Sequence, residues 1–129
     1  MIEPLWLDIP AVLAIHDCLL AEHGGASGIR DLGLLESAIE KPRHLFAYGH
    51  PSLFDLAASY AFGLAKNHAF IDGNKRTAFV VAVVFLDTNG CELRAGEVDA
   101  TLAMLALAAS EMTEPEMAGW FRENSRVGN

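Results

Sequence analysis

The sequence predicts an all-α protein, a compact single-domain bundle of about six helices that spans residues 1–129. The chain has 129 residues, which is the size of one ordinary domain. Hydrophobic residues make up 52% of it, enough for a core without metal or disulfide support. Residues that cap helices precede four of the apolar segments, and these segments have helical rather than strand length.

The first two helices are predicted from their caps and breakers. Asp8 is expected to cap the first helix, and Gly24 to end it at the start of a glycine-rich loop, residues 24–28. Asp31 then caps a second helix over residues 32–41. Pro42 is expected to end that helix, because proline lacks the N–H and clashes with the preceding turn.

The third and fourth helices flank a short polar loop. Residues 42–51 are predicted to be irregular, and Ser52 then opens the third helix with a capping-box partner, Asp55. This helix runs to about Asn67. The fourth helix is predicted over residues 74–89, with Gly90 after its end.

The fourth helix contains a valine-rich run that periodicity alone also allows as a buried strand. Residues 76–89 are too long for an ordinary strand, so the helix is favoured. Its apolar residues lie on all sides, which predicts the central helix of the domain. A short extended piece is expected at residues 92–94 and a fifth helix at 97–110. The pattern Thr113-x-x-Glu116 predicts a capping box that opens a sixth helix.

The charge balance restricts the possible functions. Acidic residues outnumber basic residues by 17 to 9, and the net charge is −8. This argues against a protein that binds nucleic acid or an anionic membrane over its whole surface. No signal peptide is evident, and the longest apolar run, residues 78–86, is too short to span a membrane. Cys18 and Cys91 are expected to be buried free thiols, so we expect a soluble cytoplasmic protein.

One polar segment concentrates functional groups. The nine residues from His68 to Arg76 include one imidazole, one carboxylate, one carboxamide and two cations. Gly73 permits backbone angles at which successive N–H groups converge on an anion, and the start of the fourth helix favours negative charge. Lys75 and Arg76 add positive charge at the same point. The segment therefore predicts a phosphate site.

Three further residues complete this prediction. Phosphate alone would repel Asp72, which indicates a Mg²⁺ ion between the carboxylate and the phosphate. Capping of the fourth helix is an alternative role for Asp72. Histidine is the side chain that titrates near neutral pH, so His68 is the candidate general base. Lys66, two residues earlier, is predicted to add to the positive field.

The motif resembles that of a known family. Residues 68–76, His-Ala-Phe-Ile-Asp-Gly-Asn-Lys-Arg, are similar to the H-x-F-x-D/N-A/G-N-K-R motif of the Doc ("death on curing") toxins, a branch of the Fic/Doc family. Residues 15–17 and 30–38 also look like the N-terminal part of Doc-like proteins. The wider Fic pattern is H-P-F-x-D/E-G-N-G-R-x-x-R. Lys75 replaces its second glycine and Phe79 its last arginine, and both departures indicate the Doc branch.

The resemblance implies a Fic/Doc fold and the toxin of a type II toxin–antitoxin system. Doc-like proteins are kinases that transfer the γ-phosphate of ATP, with Mg²⁺, to a threonine of elongation factor Tu and so arrest translation. The implied roles are a general base for His68, Mg²⁺ binding for Asp72, phosphate contact for Gly73 and Asn74, and charge neutralisation for Lys75 and Arg76.

The resemblance also implies a partner chain. Fic proteins that restrain themselves carry an S/T-x-x-x-E-G/N helix, and the nearest match here, Ser110-x-x-x-Glu114, is followed by Pro115. Restraint is therefore expected from a Phd-like antitoxin, which would fold into a groove between apolar helices.

Other interpretations remain open from the sequence. A Fic-type adenylyltransferase would use the same loop, and a non-catalytic nucleotide-binding module would keep it as a phosphate sensor. A metal-only hydrolase is disfavoured, because one histidine and one aspartate fall short of three metal ligands. Outside the motif, His16 is predicted to be structural. Arg30 and Glu36 are predicted to form a structural ion pair or to be surface charges.

Overall fold

The computed structural model describes residues 2–128 and confirms the all-α class. Within that range the elements are α1 (Ile9–His23), α2 (Leu32–Tyr48), α3 (Leu53–Asn67), α4 (Asn74–Thr88), β1 (Cys91–Leu93), α5 (Glu97–Ala108), α6 (Glu114–Glu123) and β2 (Ser125–Val127). No helix among these residues is both long and apolar enough to cross a membrane.

Helix starts follow the predicted caps. The carboxylates of Asp8 and Asp31 accept hydrogen bonds from backbone N–H groups in the first turns of α1 and α2. Ser52 and Thr113 each form a complete capping box at α3 and α6. In the second box, the Thr113 backbone N–H donates to the carboxylate of Glu116 and lowers the pKa of that group. Local hydrogen bonds therefore determine where four of the helices begin.

The predicted end of α2 is wrong. The helix continues through Pro42 to Tyr48, so most of the stretch expected to be irregular is helical. Proline removes one backbone hydrogen bond from the helix. Tertiary packing offsets this cost, because Pro42 is buried and Phe46, one turn later, contacts the Trp6 ring with 5.7 Å between centroids.

The core is centred on α3 and α4 together rather than on α4 alone. Nine residues of α3 are buried, against seven of α4, so the prediction of α4 as the single central helix was incomplete. The valine-rich run is helical, as predicted, and the polar loop connects the two central helices. Cys91 is buried, and burial raises the pKa of its thiol. Cys18 is exposed, which corrects the expectation for that residue.

A two-stranded antiparallel sheet pairs the segment after α4 with the segment after α6. β1 lies within one residue of the predicted extended piece and pairs with β2, Cys91 opposite Val127 and Leu93 opposite Ser125. The strand β2 was not predicted from the sequence. Its three residues are too few to show the alternating pattern that predicts a strand. Only the pairing with β1 identifies them as one.

The tightest approach between α2 and α3 is at Gly63. A β-carbon built there would lie 3.2 Å from the Ala38 α-carbon and 3.3 Å from the Ala38 carbonyl oxygen. These are backbone atoms of a packed helix and cannot swing aside. The absence of a side chain at Gly63 therefore sets the separation of the two helices.

We predict that Gly63→Val lowers the free energy of unfolding by about 1–3 kcal/mol, because the added atoms force α2 and α3 apart. Urea denaturation followed by circular dichroism measures the change. Gly119→Val is the matched control: it also lies in a helix, and its β-carbon would meet nothing within 4 Å. The control should change stability by no more than about 0.5 kcal/mol. Equal effects of the two substitutions would contradict the packing argument.

Candidate active site

The loop between α3 and α4 is bounded by two residues in the left-handed region. His68 has φ 48° and ψ 48° and ends α3, and Gly73 has φ 78° and begins α4. Glycine adopts this conformation freely, whereas it costs a residue with a side chain free energy that the surrounding contacts must offset. His68 is exposed, so its ring lies at the surface while its backbone is constrained.

The loop pairs with a second segment, residues 28–31. The backbone N–H groups of Arg30 and Asp31 donate to the Ala69 carbonyl at 2.7 and 3.1 Å. The N–H of Ile71 donates to the Gly28 carbonyl at 3.1 Å. These bonds satisfy loop groups that neither helix can reach, so the segment acts as a template for the loop.

Phe70 anchors the loop in the core. It is 2% exposed, and its ring stacks on the His16 imidazole at 3.8 Å between centroids, with 10° between the planes. His16 is itself buried, and its Nε2 lies 2.8 Å from the Asp72 carbonyl oxygen. A carbonyl only accepts, so Nε2 carries the hydrogen and donates it. This confirms a structural role for His16, whereas Ile71 is exposed and does not anchor the loop.

The side chain of Asn74 closes the loop from inside. Its Oδ1 accepts from the Phe70 N–H and its Nδ2 donates to the Phe70 carbonyl, both at 2.9 Å. Both polar atoms of the Asn74 carboxamide are thus hydrogen-bonded within the loop. The backbone N–H groups of residues 74–76 have no intrahelical acceptor, because they form the first turn of α4, and Gly73 supplies no side-chain cap. The backbone N–H of Asn74 is therefore left for an acceptor outside the helix.

The glycine-rich loop after α1 holds the carboxylate of Asp72. Its Oδ1 accepts from the Gly73 N–H at 2.8 Å, and its Oδ2 accepts from the Ala26 N–H at 3.2 Å. A β-carbon on Gly25 would lie 2.7 Å from Oδ2, so any side chain there would displace the carboxylate. The roles of Gly25 and Ala26 were not predicted from the sequence. The adjacent glycines Gly24 and Gly25 were a signal that another group approaches this backbone closely. Nothing in the sequence indicated that this group is the carboxylate of Asp72.

The donor set fits Mg²⁺ bound jointly with phosphate. No group of three histidine, cysteine, aspartate or glutamate side chains in residues 2–128 could enclose a metal ion. Mg²⁺ characteristically uses one or two carboxylates and completes its shell with water and phosphate oxygens. Asp72 is exposed, and each of its oxygens has one lone pair left after the bonds to Gly73 and Ala26.

A cavity of about 420 Å³ brings the predicted residues together. It is lined by His68, Ile71, Asp72, Gly73, Asn74, Lys75, Arg76 and Met104. Met104 comes from α5 and was missed, because a half-buried methionine in an apolar helix looks like any core residue. One wall therefore carries an imidazole, a carboxylate and two cations, and Met104 and Ile71 add apolar surface.

Lys66 is not in this cavity. Its Nζ hydrogen-bonds to the Ser110 hydroxyl and lies 5.9 Å from the centroid of the Phe62 ring. It lines a different cavity, between α2 and α3. The structure thus does not support its expected contribution to the phosphate site, because the α-helix turns its side chain away from His68.

Arg30 also differs from the prediction. Within residues 2–128 no ion pair joins it to Glu36. Its Nε donates to the His68 carbonyl at 2.7 Å, and its Nη2 donates to the Asn67 carbonyl at 3.0 Å. The side chain is at the surface, as the alternative prediction held, but it is tied to the C-terminus of α3.

A comparison with known families matches residues 6–86 to the model described as the Fic/DOC family, which is more than half of the chain. The chain belongs to the Fic/DOC family. This confirms the family predicted from residues 68–76. The matched region contains the whole loop, both segments that hold it, the core helix α3 and all but the last two residues of α4.

Two curated relatives of this Fic/DOC chain carry Doc names. It is 47% identical over 75 residues to "Toxin Doc" of Mycolicibacterium smegmatis, which covers 56% of this chain and 57% of the relative. It is 36% identical over 83 residues to "Protein kinase doc" of Escherichia phage P1, which covers 64% of this chain and 66% of the relative. The chain thus spans less than two thirds of the length of each.

We predict that His16→Phe destabilises the fold by about 1–3 kcal/mol. Phenylalanine keeps a ring against Phe70 but leaves the Asp72 carbonyl without its donor. Chemical denaturation measures the change. His23→Phe, on the exposed end of the same helix, is the control and should shift stability by less than about 0.5 kcal/mol. If both variants unfold at the same denaturant concentration, the hydrogen bond does not stabilise the loop.

Proposed function

We propose that this chain is a Doc-type toxin and a protein kinase. It transfers the γ-phosphate of ATP to a threonine or serine hydroxyl of a translation factor, elongation factor Tu, and so arrests translation in the cytoplasm. One observation carries the proposal: His68, Asp72, Lys75 and Arg76 line a single cavity at the start of α4. The phage P1 relative is named a protein kinase, which supports the kinase hypothesis.

The reaction requires positioning and charge neutralisation rather than covalent catalysis. The target hydroxyl oxygen forms a bond to the γ-phosphorus as the bond from that phosphorus to the β–γ bridging oxygen breaks, and ADP leaves. His68 accepts the hydroxyl proton. It is exposed at the cavity, where a protein substrate can reach it.

The γ-phosphate would bind the N-terminal turn of α4. Its oxygens would accept from the backbone N–H groups of residues 74–76 that the turn presents, since the Gly73 N–H already donates to Asp72. The charges of Lys75 and Arg76 would offset the charge of the transition state. Asp72 would hold Mg²⁺, which neutralises phosphate charge when bound. Cations at a helix N-terminus are unfavourable without an anion, which supports a bound phosphate at this place.

Phe79 favours phosphoryl over adenylyl transfer. In the Fic pattern its position carries the last arginine of the motif. Here Phe79 is 8% exposed and packs against Trp120 and Phe121, with centroids 5.9 and 6.0 Å apart. No cation stands at that point to bind a further phosphate. Adenylyl transfer remains the second candidate because the family is shared.

We also propose that a Phd-like antitoxin restrains the chain. The sequence has no inhibitory S/T-x-x-x-E-G/N helix of its own. The Mycolicibacterium smegmatis relative is named "Toxin Doc", which supports a system of toxin and antitoxin.

Transfer is tested with the purified chain, Mg²⁺, elongation factor Tu and ATP labelled in its γ-phosphate. The expected product is elongation factor Tu heavier by about 80 Da. A gain of about 329 Da, with label moving only from the α-phosphate, would instead establish adenylyl transfer. No modification of any protein in an antitoxin-free lysate would contradict the proposal. Label on a different protein would show that the chain is a kinase but that elongation factor Tu is not its target.

His68→Ala is predicted to lower kcat by about 100- to 10,000-fold, because the general base is lost. His44→Ala is the matched control, since His44 is exposed on α2 and lies outside the cavity. A non-catalytic nucleotide-binding module would keep its cellular phenotype in the His68→Ala variant, and that result would exclude the kinase.

Gly25→Ala is predicted to weaken binding of Mg²⁺–ATP about 10-fold or more, because its β-carbon displaces the carboxylate of Asp72. Gly24→Ala is the control: Gly24 also has positive φ, at 79°, but its β-carbon would meet nothing within 4 Å. Both variants carry backbone strain, so their stabilities should fall alike. Isothermal titration calorimetry measures the affinities, and equal weakening in both variants would show that Asp72 is not the affected group.

A further inference from the structure

The guanidinium of Arg30 spans the two peptide groups on either side of His68. Its Nε donates to the carbonyl oxygen of His68, which belongs to the peptide after that residue. Its Nη2 donates to the carbonyl oxygen of Asn67, which belongs to the peptide before it. The distances are 2.7 and 3.0 Å, so both are good hydrogen bonds.

The orientation of these two peptide planes defines φ and ψ of His68. Rotation about either backbone bond of His68 would move one carbonyl oxygen away from the guanidinium. A planar, rigid fork that holds both oxygens thus fixes the dihedral pair and with it the direction of the Cα–Cβ bond. The pair it fixes is left-handed, 48° and 48°, a conformation that is uncommon for residues other than glycine.

Charge adds to this geometric effect. The last carbonyls of α3 have no intrahelical donor, and the helix dipole makes this end negative, so a cation is favourable there. Arg30 is delivered by the segment that pairs with the loop, since its own N–H donates to the Ala69 carbonyl. Three consecutive carbonyls, of residues 67, 68 and 69, are therefore held from one side by residues 30 and 31.

We propose that Arg30 is the positioning residue for His68. It holds the backbone of the candidate base in the left-handed conformation that aims the imidazole into the phosphate cavity. This inference rests on the proposed function for its catalytic consequence, whereas its conformational part stands without it. Arg30 does not line the cavity, so its substitution leaves the phosphate-binding groups in place.

The test compares Arg30→Ala, Arg30→Lys and the control Arg94→Ala. Lysine keeps the charge but has no planar fork, so it cannot hold both carbonyls in one geometry. Arg94 is exposed and follows β1, beyond the far end of the 15-residue helix α4. It does not line the cavity, and its Nη2 pairs with the Glu92 carboxylate at 3.3 Å.

The kinetic readout separates positioning from binding. We expect kcat of Arg30→Ala to fall about 100-fold with an unchanged KM for ATP, because misplacement of a catalytic group affects the chemical step. Arg30→Lys should lie between Arg30→Ala and the wild type, and Arg94→Ala should equal the wild type. A merely structural role would change KM and the melting temperature along with kcat. That pattern, or an undiminished kcat in Arg30→Ala, would overturn the proposal.

The conformational readout needs no activity. In the ¹⁵N-labelled protein, the strong intraresidue amide–Hα NOE of His68 reports its positive φ. We expect this NOE to be lost in Arg30→Ala and kept in Arg94→Ala. Its persistence in Arg30→Ala would refute the positioning role whether or not the chain is a kinase. If the wild type transfers no phosphate and the NOE is nevertheless lost in Arg30→Ala, the function fails and the positioning role stands.

Discussion

The loop between α3 and α4 leaves the core with backbone groups that neither helix can satisfy, and residues 28–31 supply their partners. The backbone of this segment hydrogen-bonds to the carbonyl of Ala69 and the N–H of Ile71. The Arg30 side chain donates to the carbonyls of residues 67 and 68. Buried or strained backbone persists only where such partners exist. The left-handed turn at His68, the course of the loop and the start of α4 all depend on this pairing.

The site concentrates positive charge locally in a protein that is acidic as a whole. The net charge is −8, yet Lys75 and Arg76 lie beside one carboxylate at a helix N-terminus. Electrostatic interactions weaken beyond about 10 Å in physiological salt, so distant acidic groups have little effect there. The global charge disfavours a polyanion along the surface, and the local field favours one phosphate group.

Two close contacts place the site on a rigid base. Gly63 lets α2 and α3 approach to backbone contact, and the stacked rings of His16 and Phe70 fasten the loop to α1. Side chains in such packed surroundings keep single rotamers, which catalytic geometry requires. The exposed functional groups, His68 and Asp72, thus extend from a backbone that packing and hydrogen bonds hold.

The sequence by itself determined the helix starts and the identity of the loop. Capping at Asp8, Asp31, Ser52 and Thr113 depends on side chains within three residues, and the charged groups of the loop are adjacent along the chain. For the same reason, six of the seven predicted site residues line one cavity.

Only the tertiary structure decided the continuation of α2 through Pro42, the strand β2 and the position of Lys66 outside the phosphate cavity. It also decided that Met104 lines this cavity and that Gly25 and Arg30 contact the loop. Each of these depends on a partner far away in sequence: Trp6 for the end of α2, Ser110 for Lys66, Asp72 for Gly25 and the carbonyls of residues 67 and 68 for Arg30. Residues that are close together in the sequence can predict a helix or a phosphate-binding loop. Which distant group satisfies an exposed carbonyl or offsets a missing hydrogen bond is determined by packing, because those free energies exist only when the chain is folded.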